Sequence, residues 1–140
     1  MEFVEQPLAK ENWEDMKVLF EKSGIILIAD ESCVEEEDVK RCATCFHGVN
    51  IKLTKCGGVT PALRMISRAR ELSLQVMLGS MNETSIGSAA IAHLSPAADH
   101  VDIDGPLLLA EDIASGLSYE DGRALVSKEP GLGIDFHPKS

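Results

Sequence analysis

Short apolar runs alternate with segments of helical period along most of this chain, and that alternation limits the fold more than any single residue does. Neighbouring parallel strands must be joined by a crossover, usually a helix, so repeated strand–helix units specify a parallel sheet covered by helices. The first run, Glu2-Phe3-Val4-Glu5, stops at Gln6-Pro7, and a helix follows with Trp13, Met16, Leu19 and Phe20 on one face and Asn12 as its N-cap. Ile25 to Ala29 has the continuous apolar character of a strand buried on both faces. The next helix carries Val39, Cys42, Ala43 and Phe46 at i, i+3, i+4 and i+7. Its first turns hold Glu35, Glu36, Glu37 and Asp38, where negative charge suits the helix dipole, which makes this acidic run a structural feature and not a metal site.

Val49 to Leu53 forms a third strand closed by Gly57-Gly58, and Thr60-Pro61 opens a helix that buries Ala62, Ile66 and Ala69. A fourth strand runs from Gln75 to Leu78, and after Gly79 a helix carries Ile86, Ala89, Ala90 and Leu94. His100 to Asp104 is the fifth strand, ended by Gly105-Pro106. Beyond it the pattern changes. Tyr119 to Val126 reads as a hairpin, because Asp121-Gly122 supplies the positive φ angles of a type I′ turn, and Pro130 to Ser140 reads as a tail.

Five such units suit either an open doubly wound sheet or part of a closed barrel, and periodicity alone does not choose between them. The polar residues favour the barrel. Glu5, Asp30, Lys52 and Asp104 all fall at the C-terminal ends of strands, the ends that converge on one mouth in a barrel and carry its active site. The expected organisation is therefore an α/β chain with a partial (β/α) barrel over 1–110 and a C-terminal hairpin and tail over 111–140.

Charge restricts the partners. With 23 acidic against 13 basic residues the chain has a formal charge of −10, which repels phosphate backbones and anionic lipid surfaces, so neither nucleic acid nor membrane is expected to bind. The longest apolar run, Ile25 to Ala29, is too short to span a bilayer, and Glu2 and Glu5 stand where a signal peptide would be basic, so a cytoplasmic protein is expected. Cys42-x-x-Cys45 with His47 nearby has the look of a zinc or redox motif. Cys33 and Cys56 lie in differently patterned segments, however, and the four residues read as free thiols packed like small apolar groups.

The candidate chemistry lies at the strand ends. Glu5 and Asp30 are hard oxygen ligands suited to Mg²⁺; either acid alone reads as a loop or capping group, but side by side in a barrel mouth they need a cation to offset their repulsion. Lys52 interrupts an apolar strand. Beside a cation it would lose part of its preference for the charged form and could act as a general base, while as a plain strand-end lysine it would reach to solvent. Lys55 reads as loop charge. Asp102 and Asp104 share one strand face by the two-residue period and suit an ammonium group, or stand as a solvated strand end; Ser80, Asn82 and Glu83 follow the fourth strand and line the same mouth, unless Asn82 or Thr84 caps the next helix.

These segments together resemble the enolase superfamily, and within it the muconate-lactonizing subgroup. The strings that carry the resemblance are Val4-Glu5-Gln6-Pro7, Ile28-Ala29-Asp30-Glu31-Ser32, Asn50-Ile51-Lys52-Leu53-x-Lys55-x-Gly57-Gly58 and Pro130-Gly131-Leu132-Gly133. Met77 to Gly87 and Val101-Asp102-Ile103-Asp104-Gly105-Pro106 resemble dipeptide epimerases of the L-Ala-D/L-Glu type. The resemblance implies the fourth to eighth strands of an enolase-type barrel. It also implies Glu5 and Asp30 as two of three Mg²⁺ ligands, Lys52 as one of two lysines that exchange the α-proton, and Asp102 and Asp104 holding the substrate's ammonium beside Ser80, Met81 and Glu83.

The implied reaction is epimerisation of a dipeptide through an Mg²⁺-stabilised enediolate. Muconate cycloisomerase, o-succinylbenzoate synthase and N-succinylamino acid racemase are the alternatives within the subgroup, and a non-catalytic half-barrel binding module is the alternative outside it. The second lysine, the third carboxylate and a capping domain are expected on a missing N-terminal half. Without that half the chain is expected to be inactive and prone to self-association through its open strand edges.

Overall fold

The computed structural model describes residues 1–137, and the last three positions of the expected tail lie outside the described residues. Strands β1 (Phe3–Glu5), β2 (Ile26–Ala29), β3 (Gly48–Ile51), β4 (Gln75–Gly79) and β5 (His100–Asp102) form one sheet in the order β1-β2-β3-β4-β5. Every neighbouring pair is parallel. An open doubly wound sheet reverses its strand order partway, whereas this order runs straight through.

The sheet is also strongly curled. Four inter-strand spacings would hold β1 and β5 about 19 Å apart in a flat sheet, yet the rings of Phe3 and His100 lie 4.7 Å apart across the concave side. The curvature is that of a barrel segment, with alternate strands filling one interior layer.

Helices α1 (Trp13–Lys22), α2 (Glu36–Cys42), α4 (Val59–Glu71) and α5 (Ser85–Leu94) cross between the strands, with a single-turn α3 (Leu53–Cys56) between β3 and α4. Leu27, Ala29, Val49, Ile51, Val76 and Leu78 join the helix-side core, while Ile28 and Met77, of opposite parity, are buried on the concave side. The strands are thus apolar on both faces, which explains their unbroken hydrophobic character.

Several local expectations change. Asn12 does not cap α1 with its side chain; its amide donates to Asp15 instead. Helix α2 stops at Cys42, so Phe46 lies in the following turn, although it is still fully buried and edge-on to Trp13. The acidic run caps α2 through a reciprocal Glu35–Asp38 box.

Helix α4 begins at Val59 with Gly58 as its cap, placing Thr60-Pro61 inside its first turn; Gly57 and Gly58 adopt φ of 93° and 120°, conformations that disfavour any side chain. Thr84 stands at the N-cap position of α5 without a side-chain capping bond, and Asp112 Oδ2 accepts the Ser85 N–H instead, at 2.7 Å from 27 positions away. That helix buries Ser85, Ser88, Ala89, Ile91 and Ala92, a face turned from the expected one because a hairpin packs beside it.

The hairpin is β7 (Leu117–Glu120) with β8 (Arg123–Val126), joined through Asp121 (φ 49°) and Gly122 (φ 74°). The Tyr119 hydroxyl ties it to the barrel by donating to the Ile103 carbonyl at 2.6 Å. Beyond it β9 (Asp135–Phe136) pairs antiparallel with β6 (Ala114–Ser115), so the expected tail contains a strand. Cys33, Cys42 and Cys45 are buried and all four cysteines are free. The Cys42 thiol donates to the Ser32 carbonyl, and contact with Cys42, then burial, pushes the Cys33 thiol up. His47 is engaged elsewhere than with the Cys42-x-x-Cys45 pair, its ring tilted against Phe20 and its Nδ1 accepting the Leu27 N–H. No helix among the described residues is long and apolar enough to cross a membrane.

Candidate active site

Four side chains from three strand ends meet at the C-terminal rim of the sheet. Lys52 Nζ lies 3.0 Å from Asp30 Oδ2 and 4.0 Å from Glu5 Oε1, and Lys55 Nζ lies 2.5 Å from Asp30 Oδ1. The Asp30 side chain is 7% exposed, against 13% and 19% for the two lysines. Lys55 is therefore a member of the site and not loop charge. The expected strand through Leu53 ends instead at Ile51, and α3 begins at once, so Lys52 and Lys55 stand one helical turn apart and both ammonium groups reach Asp30.

Burial alone would raise the Asp30 pKa, but hydrogen bonds from Lys55 and Lys52 more than offset it and hold the carboxyl below its usual range. Burial would also lower the Lys52 pKa. Asp30, with help from Glu5 and Glu31, reverses that effect and raises it, so Lys52 is held protonated here and is not poised as a neutral base.

Two further residues organise the rim. Gln6, with a positive φ of 37°, directs its side chain onto the loop after β2. Its Oε1 accepts the Asp30 and Ser32 N–H groups at 3.0 and 3.1 Å, while its Nε2 donates to Ser32 Oγ and the Leu8 carbonyl. Asn50 donates from Nδ2 to Glu5 Oε1 at 2.7 Å. In the sequence Gln6 and Asn50 are legible only as parts of their motifs, since an uncharged amide carries no charge pattern to mark it.

The Asp102 and Asp104 region differs. Strand β5 ends at Asp102, and Asp104 has helical backbone angles at the head of a 3₁₀ turn (Gly105–Leu108), so the two do not continue one strand face as their spacing predicts. Both are exposed and line one groove of about 630 Å³ with Val101, Leu107 and the hairpin. Ser80 is tied to β5 through its N–H and the Asp102 carbonyl, and Met81 is exposed. Glu83 folds back to accept the Met81 N–H and occupies the space beside Gly87 that any side chain there would need.

Two hard carboxylates converging on one ammonium group suit a magnesium ion's oxygen preference as part of a ligand set. Among the described residues no group of three or more His, Cys, Asp or Glu side chains could hold a metal.

A curled five-stranded parallel sheet with acids and lysines gathered at its C-terminal rim is a segment of a barrel of the kind that houses enzyme active sites. A sequence profile described as enolase C-terminal domain-like matches residues 1–140, and the chain belongs to that family. An L-Ala-D/L-amino acid epimerase of Flavobacterium johnsoniae is 53% identical over 96% of this chain and 40% of its own length. The solved L-Ala-D/L-Glu epimerase of Bacillus subtilis, a substrate-liganded complex, superposes with a TM-score of 0.90 at 31% identity, covering 96% of this chain and 39% of that one. A dipeptide epimerase of Methylococcus capsulatus, complexed with Mg and L-Arg-D-Lys, gives 0.89 at 36% identity over 97% and 40%. The chain thus spans about 40% of the length of these relatives and corresponds to their C-terminal part.

Proposed function

We propose that this chain supplies one side of the active site of a magnesium-dependent dipeptide epimerase. The observation that carries the reading is the convergence of Glu5 and Asp30 on Lys52, at 4.0 and 3.0 Å, at the rim of a barrel segment. Glu5 and Asp30 would hold the ion. When bound, Mg²⁺ would neutralise the substrate carboxylate and ease loss of the neighbouring α-proton. Lys52 gives or takes that proton on one face of the carbon. In the arrangement described it is protonated and salt-bridged to Asp30, so it is set to donate, and it gains basic character only when another cation takes over its hold on that acid. Lys55 keeps Asp30 ionised and fixed. Asp102 and Asp104 receive the substrate ammonium, with Ser80, Met81 and Glu83 bordering it; an ammonium-binding pair favours a dipeptide over the succinylated and muconate substrates of related enzymes.

A second proton-transfer group and further metal ligands come, on this reading, from the remaining barrel strands, which together with a capping domain are the chain's main partner. Incubation of L-Ala-L-Glu in D₂O tests this directly. The 140-residue chain alone should leave the α-position unexchanged, and a mixture with the complementary part of a relative's barrel should introduce deuterium and the D-epimer. Exchange by the chain alone, or none by any folded mixture, would refute the proposal.

A further inference from the structure

Asn50 occupies the concave face of β3, opposite Met77 of β4, and is 1% exposed. Its amide reaches over β2 to Glu5 on β1, as alternate strands of a barrel do when they share an interior layer. The donor end must face Glu5, because a carboxylate accepts only. Asn50 Oδ1 is then left buried with no hydrogen-bond partner among the described residues, an orientation a free amide would not choose.

The neighbouring strand makes room for it. A Cβ at Gly79 would lie 2.6 Å from Asn50 Oδ1 and 2.7 Å from Nδ2, so only glycine permits the amide to sit where it does. With Oε1 held, Glu5 Oε2 has no hydrogen-bond partner among the described residues and stays available.

We propose that Asn50, seated by Gly79, is the positioning residue of the Glu5 carboxylate, fixing its Oε1 so that Oε2 is presented to a divalent cation. The inference rests on the reading of Glu5 as a metal ligand and extends it to a pair of residues that would not touch the ion. Partners of this kind typically change metal affinity by about 10- to 100-fold when removed.

Calorimetric titration with Mg²⁺ of the chain combined with the complementary part of a relative's barrel tests it, alongside thermal unfolding of the same combination without metal. Glu5→Ala should abolish binding. Asn50→Ala and Gly79→Ala should each weaken it about tenfold. The double variant should be no weaker than Asn50→Ala alone, because truncating Asn50 removes the amide that a methyl group at position 79 would strike. A merely structural role would lower the metal-free midpoint and leave the affinity of the folded protein intact. Wild-type affinity in folded Asn50→Ala, with Glu5→Ala silent, would overturn the positioning role and leave the metal site standing; should Asn50→Ala not fold, wild-type affinity in Gly79→Ala would do the same. Undiminished binding by Glu5→Ala, or no binding by the unaltered chain in that combination, would overturn both.

Discussion

The rim over β1 to β3 and the rim at β5 lie at the same end of one sheet but in opposite physical states. At the first, Glu5, Asp30, Lys52 and Lys55 neutralise one another and are largely withdrawn from water, with Gln6 and Asn50 bracing the two acids. At the second, Asp102 and Asp104 are exposed, and Val101, Leu107 and Leu108 are exposed beside them. Polar groups become pre-ordered where the chain supplies both their partners and their cover.

The largest test of this contrast is Asp30→Ala, which strips two half-buried ammonium groups of their shared counter-ion. Removing one member of a buried ion pair costs about 3–5 kcal/mol, and because the lysines retain some access to water the lower figure is expected, read as a drop in unfolding free energy from urea titration. A loss near zero would mean that the inner rim is as loosely held as the outer one. Gln6→Ala comes next. It leaves the Asp30 and Ser32 N–H groups without their acceptor, at about 1–3 kcal/mol for partly buried donors, and should also speed amide exchange at Asp30 and Ser32 specifically.

Charge that interrupts an apolar strand is visible in a sequence, whereas a helix boundary that decides geometry is not. Glu5, Asp30 and Lys52 stand out because each ends a hydrophobic run. Lys55 reads as loop charge as long as the strand is carried through Leu53; ending it at Ile51 starts α3 at once and stacks the two lysines. Strand period puts Asp102 and Asp104 on one face, but the Gly105-Pro106 turn begins early and takes Asp104 out of the strand. The order of the barrel strands is legible from alternation and polar strand ends. The Asp112 cap of α5 and the β6–β9 pairing are not, since both join positions distant in sequence through contacts that leave no local periodicity.

A smaller effect belongs to the opposite end of β2, where His47 Nδ1 accepts the Leu27 N–H at 3.1 Å and must be unprotonated to do so. Burial lowers the His47 pKa from its ordinary 6.5. A group with a depressed folded pKa takes up a proton more readily when unfolded, so its contribution to stability is present above the unfolded value and is lost as pH falls through the folded one. The urea midpoint should therefore fall on going from neutral to mildly acidic pH, and His47→Gln, which cannot protonate, should show a shallower fall. Equal slopes would assign the acid sensitivity to the carboxylates.

The least stability effect is expected at the outer rim. Asp102→Asn and Asp104→Asn remove exposed charges that make no hydrogen bond through their side chains among the described residues, so each should alter unfolding free energy by no more than about 0.5 kcal/mol. Their consequence should instead appear in catalysis by the completed barrel. On the dipeptide reading, Asp104→Asn raises KM for dipeptides while kcat changes less, because the lost charge binds the ammonium in ground and transition states alike. Blocking the substrate's amino group by acetylation should remove the difference between the unaltered enzyme and its Asp104→Asn variant, as no ammonium remains to be recognised. An unchanged KM for free dipeptides would detach the β5 aspartates from substrate binding. The contrast between the rims would then be one of packing alone.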